Sequence, residues 1–178
     1  YFNLMKKMIN IGITINFDTN FYSNGLQQNV IFLNKLINKI DNICCYYLWE
    51  GSHIDEKIVD KDLCFPYVNI LQNDSIDFDI IIMMGFTFGD DVVLKIKEKR
   101  KKTKFVLMQC GNQFVENMNF AIFENQKEYS PIGRIKNLDQ IWLLPHYEKN
   151  ISYMKTYFKN NNVITVPYIW DSLFIDLF

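Results

Sequence analysis

"INIGITINFDTNFYSNGLQQNVIFLNKLINKI" runs from Ile9 to Ile40, and the way it divides decides the fold. Its first nine residues, Ile9 to Phe17, form a β-branched apolar run, the composition of a strand buried on both faces. From Leu26 the spacing changes. Leu26, Val30, Leu33, Ile37 and Ile40 recur at steps of four and three, which line one face of a helix. Between the two lies a polar loop closing on Asn24-Gly25. A buried strand, a loop and an amphipathic helix are the opening of a β-α unit.

The alternation continues down the chain. "NICCYYLW" (Asn42 to Trp49) reads as a second strand. The stretch from Gly51 to Asp77 is mixed, and Pro66 inside "CFPYVNIL" demotes that piece to an edge or irregular strand. "FDIIIMMG" (Phe78 to Gly85) is an unbroken apolar run, after which Asp90 and Asp91 suit the first turn of a short helix. "KFVLMQC" (Lys104 to Cys110) is the next strand. Gly111-Asn112 then turns the chain into a helix containing Phe114, Met118, Ala121 and Ile122. "QIWLLP" (Gln140 to Pro145) is another strand, followed by a helix with Tyr147, Ile151, Met154 and Phe158 on one face, and "VITVP" (Val163 to Pro167) is the last strand. Solid apolar strands alternating with helices predict an α/β, Rossmann-like, doubly wound domain over residues 1–178. Its sheet is mainly parallel, with helices on both faces.

Composition narrows the function. With 49% hydrophobic and 22% charged residues the chain is globular, and its net charge of -1 gives no reason to expect nucleic acid. The one basic run, "KIKEKRKKTK" (Lys95 to Lys104), reads as a solvated helix end. No apolar stretch reaches the roughly 20 residues of a transmembrane helix, and no leader pattern is evident. A cytoplasmic protein is therefore the expectation. Cys44, Cys45, Cys64 and Cys110 have no C-x-x-C spacing, so they read as buried, reduced thiols rather than a zinc site. No cofactor is expected.

In an open α/β sheet, ligands bind beyond the carboxyl ends of the strands, which nominates four loops. The first, Asp18 to Gln28, lacks G-x-G-x-x-G, and no Walker-type motif occurs anywhere. Its Asn24-Gly25 turn, with Gln27, Gln28 and Asn29 following, either offers backbone N–H groups to an anion or sugar, or simply caps the helix with Asn24. "GFTFGD" (Gly85 to Asp90) reads as a plain turn, with close approach to a ligand as the alternative. "QCGNQ" (Gln109 to Gln113) sets amides and a glycine at a strand end, suited either to a polyol or to ordinary capping. His146, after Pro145, is either a general base or phosphate partner, or a structural histidine near a helix start. Tyr168 and Trp170 are candidates for stacking on a sugar or base, or for packing.

Four of these pieces stand in an order that resembles a known group. "IGITINF…SNGLQQNVIFL", "QCGNQFVENMNFAIF", "QIWLLPHYEKNISYMKTYF" and "VITVPYIWDSLFI" are similar to the N-terminal half of GT-B-type glycosyltransferases, and most of all to a bacterial and viral group of glycosyltransferase-like proteins. The resemblance implies two Rossmann-like lobes facing a cleft. The N-terminal lobe shapes the acceptor site, the C-terminal lobe holds most of the nucleotide-sugar donor, and no bound metal takes part. It implies that Asn24, Gly25 and Gln28 face the cleft, that Gly111 and Asn112 lie at a neighbouring strand end, and that His146 sits near the reaction centre. The partners would be a nucleotide-sugar donor and a sugar or glycan acceptor. The sequence stops about where a second lobe would start, so that lobe would come from a longer or separate chain. A competing expectation is a non-catalytic module that binds a polysaccharide or partner protein.

Overall fold

The computed structural model describes residues 7–17, 24–50, 67–72, 75–111, 115–116, 119–123, 135–158 and 162–169. Strands β1 (Ile9–Thr14), β2 (Ile43–Trp49), β3 (Tyr67–Asn69), β4 (Ile80–Met83), β5 (Lys104–Met108), β6 (Gln140–Leu143) and β7 (Val163–Thr165) form one sheet. Its order is β3-β2-β1-β4-β5-β6-β7. Every neighbouring pair is parallel, the arrangement expected when each strand returns through a crossover. The order reverses between β1 and β4, which is the topological switch point of a doubly wound sheet.

Among the described residues, the α-helices α1 (Gly25–Ile37), α2 (Asp90–Lys99) and α3 (Ile151–Phe158) accompany the strands. One apolar layer joins Ile11, Ile13 and Ile15 to Val30, Leu33 and Ile37 of α1. The other joins Ile81, Phe105 and Leu107 to Val93 and Ile96 of α2 and Met154 of α3. Successive strand residues point to opposite faces, so each strand feeds both layers and must be apolar throughout. That is why the strands read as solid runs.

Some expected boundaries move. The α1 stripe ends at Ile37, while Ile40, the last residue of the periodic pattern, is 53% exposed. Of the expected helix after Gly111, the described residues show Val115 and Glu116 in α-helix and a π-helical turn at Asn119–Phe123; Phe114 and Met118 lie outside them. After β6 the chain takes a 3-10 helix, Pro145–Asn150, before α3 begins. Pro145 suits that first turn, because it needs no N–H there. Tyr147 therefore sits on the 3-10 segment rather than on the α-helix.

The basic run is more than a solvated face. The Lys97 ammonium donates to the Asn137 carbonyl and the Asp139 carboxylate, each at 2.8 Å, and lies over the Phe105 ring. Lys104 and the Phe105 amide also reach Asp139. Partial burial opposes the charge on Asp139, but the Lys97, Phe105 and Lys104 hydrogen bonds outweigh it and hold the carboxyl below its usual range. Asp79 is likewise held low by Lys7, with partial burial opposing and the Asn10 amide assisting. These ion pairs sit at the amino ends of the strands. Cys45 and Cys110 are buried and Cys44 half-buried, and none is in a disulfide. Burial, assisted by Cys44, pushes the Cys45 thiol up to about 12, and burial pushes Cys110 up to about 11. Among the described residues no helix is long and apolar enough to cross a membrane, and no cluster of potential metal ligands occurs.

Candidate functional site

Because all seven strands run the same way, every loop that leaves a strand's carboxyl end lies along one edge. Asn24, at the start of the helix after β1, Gly111 after β5 and His146 after β6 therefore share that edge. The β1 and β6 ends are three strand spacings apart, roughly 14 Å. Asn112 and Trp170 lie outside the described residues.

At the β1 end the helix caps itself. The Asn24 side-chain oxygen accepts from the Leu26 and Gln27 amides at 3.0 and 3.3 Å, and the Gln28 amide donates to the Asn24 carbonyl. Of the two readings of this turn, the Asn cap is thus present, and it engages amides that an anion would otherwise use. Gly25 is exposed, with nothing within 4 Å of the position a Cβ would take. Gln28 is half-buried beside it.

The switch-point crevice is closed by Gln27, which is 2% exposed. Its Oε1 accepts from the Asn16 amide at 3.0 Å, and its Nε2 donates to the Gly85 carbonyl at 3.3 Å. Thr14 completes the seam: its hydroxyl donates to the Phe86 carbonyl at 2.7 Å and accepts from the Met84 amide at 2.9 Å. In "GFTFGD", the Phe86 and Phe88 rings pack edge to face, and Phe88 is buried. This loop is a packed turn. Asp90, which follows, binds the Asn137 side chain and the Lys136 and Asn137 amides.

The open polar surface lies further along, over β5, β6 and β7. His146 is exposed, and its Nδ1 is 2.6 Å from the Tyr168 hydroxyl, with the two rings stacked 5.9 Å apart. Tyr168 is itself 63% exposed. The neighbouring Tyr147 touches the His146 ring and donates its hydroxyl to the Gly111 carbonyl at 3.4 Å. Gly111 has φ +55°, a left-handed conformation that favours glycine. His146 and Gly111 are thus joined through Tyr147, whereas Asn24, Gly25 and Gln28 stand across the edge. The spacing of Tyr147 and Tyr168 gave no sign of this junction, because three separate strand ends make it.

A family model for proteins of unknown function, DUF2827, matches residues 10–177. The chain belongs to the DUF2827 family. No curated protein and no solved structure matches it. For this DUF2827 chain the match runs from β1 past β7, so it takes in every loop of the carboxyl edge.

Proposed function

We propose that this chain is the acceptor-side lobe of a two-lobed glycosyltransferase, moving a sugar from a nucleotide-sugar donor onto a sugar or glycan acceptor. The observation that carries the reading is the exposed His146–Tyr168 pair beside Gly111 at the carboxyl edge. A sugar acceptor needs a flat apolar surface to lie against and a base near one hydroxyl; an aromatic ring and an imidazole supply them. The tautomer decides what His146 does. If its Nδ1–H donates to Tyr168, Nε2 is left as a base that can take the acceptor proton. If the Tyr168 hydroxyl donates to Nδ1 instead, Nε2–H becomes a donor suited to a phosphate oxygen. Asn24, Gly25 and Gln28 form the far wall, and Gly111 the near rim. The donor is held mainly by a second lobe.

One observation favours a second reading, a non-catalytic module for a polysaccharide or partner protein. Among the described residues, the self-capped α1 and the Gln27 bridge engage groups that a phosphate at the switch point would otherwise use. Thermal shift with a panel of nucleotide sugars and glycans separates the two, run on this chain and on the assembled two-lobed protein. The enzyme reading expects glycans to stabilise this chain and nucleotide sugars to stabilise the assembly. It further expects His146→Ala to lower turnover of the assembly by about 10²–10⁴-fold. An unchanged rate removes the catalytic role.

A further inference from the structure

Gln109 follows β5 at the same edge and is 1% exposed. Its backbone amide is spent, donating to the Trp142 carbonyl at 2.9 Å. Its side chain is not: among the described residues neither Nε2 nor Oε1 has a hydrogen-bond partner. A primary amide can make up to four hydrogen bonds, and one buried with none is costly enough to need an explanation. A leucine or methionine would fill the place without that cost. Phe105 and Leu107, on the same strand face by alternation, are apolar and buried. Two residues on, Gly111 is exposed, so the chain reaches the carboxyl edge within two residues of Gln109.

We infer that Gln109 is a ligand-reading residue of the carboxyl-edge site, whose amide pairs with a vicinal diol of a hexose. Oε1 accepts from one hydroxyl while Nε2 donates to its neighbour, so the amide recognises two adjacent oxygens rather than one. The inference rests on the carbohydrate reading of this edge and adds to it a residue and a group. A residue kept for binding at the expense of the free protein has a signature that a structural residue lacks: its apolar replacement leaves the unliganded fold no weaker, yet loses the ligand.

The test uses Gln109→Met, which keeps the volume, and Gln109→Leu beside it. Melting temperatures are recorded alone and with methyl glucoside, methyl galactoside, methyl mannoside, UDP-glucose and GDP-mannose, and affinities are taken for any probe that stabilises the wild type. The expected result is a melting temperature equal to or above wild type in both variants, with affinity for the stabilising probe weakened at least ~10-fold. A clear fall in melting temperature in both variants makes Gln109 structural and overturns the inference. Affinity retained in the variants overturns it while leaving the carbohydrate reading standing. A wild-type chain stabilised by none of the probes overturns both.

Discussion

Gly85 shows how much a single missing methyl group can decide. A Cβ there would meet the Thr14 carbonyl oxygen at 2.5 Å and the Ile15 Cα at 2.8 Å. Both are backbone atoms held in the sheet, so neither can step aside without parting β1 from β4. Gly85→Ala is therefore expected to lower stability by about 1–3 kcal/mol, read as a drop in the denaturation midpoint. Gly25→Ala is the comparison. It enters open space at a helix start, so its stability should hold or rise by up to about 1 kcal/mol. Equal losses in the two variants would show that the seam at the switch point is not tight. The glycine singled out by its turn, Gly25, is the permissive one. Gly85 lies in an equally glycine-marked loop, but its constraint comes from a strand some seventy residues away (Thr14 to Gly85), which local spacing does not reveal.

Between elements, Asn38 at the end of α1 ties the helix to the backbone of β2. Among the described residues β3 pairs with β2 only from Tyr47 to Trp49, and the backbone of Cys45 has no ladder partner on that side. The Asn38 side chain accepts from the Cys45 amide at 2.9 Å and donates to the Cys45 and Asn34 carbonyls. Asn38→Leu would strand those groups in a partly buried place, and a loss of about 1–3 kcal/mol is expected in chemical denaturation. A neutral result would mean that water replaces the amide freely. The elements themselves were largely legible, because a strand buried on both faces has to be a solid apolar run and α1 has to carry one apolar stripe. What escaped was junction chemistry. The 3-10 turn at Pro145–Asn150, the Gln27 bridge and the Tyr147–Gly111 contact each depend on which strand ends become neighbours, and sheet order is not written in any local pattern. The same limit applies to the candidate site. His146 and Gly111 were visible as strand-end residues, but their connection through Tyr147 was not.

Over the whole molecule the two ends of the sheet carry different chemistry. Ion pairs gather at the amino edge, where Asp79 and Asp139 both have carboxyls held below their usual range. A lowered folded-state value means that the stabilisation is present above the unfolded carboxylate range, near pH 4, and is lost as the pH falls through the folded value. Asp139→Asn should accordingly be less stable than wild type at neutral pH, with the gap closing as the pH falls below the carboxylate range; a gap that persists in acid would assign the loss to packing. Among the described residues the ion pairs lie at the amino edge, so the carboxyl edge, with its tyrosines and amides, should be less sensitive to acid. The sheet is also uneven from side to side, since β3 and β7 are three-residue outer strands. Amide hydrogens at such margins exchange first, because opening them breaks few contacts. Tyr168 stands three residues beyond the end of β7. The stacked ring beside His146 therefore hangs from the part of the sheet that breathes most easily, and a guest that settled against it would slow deuterium uptake across Val163–Thr165 well before altering the centre.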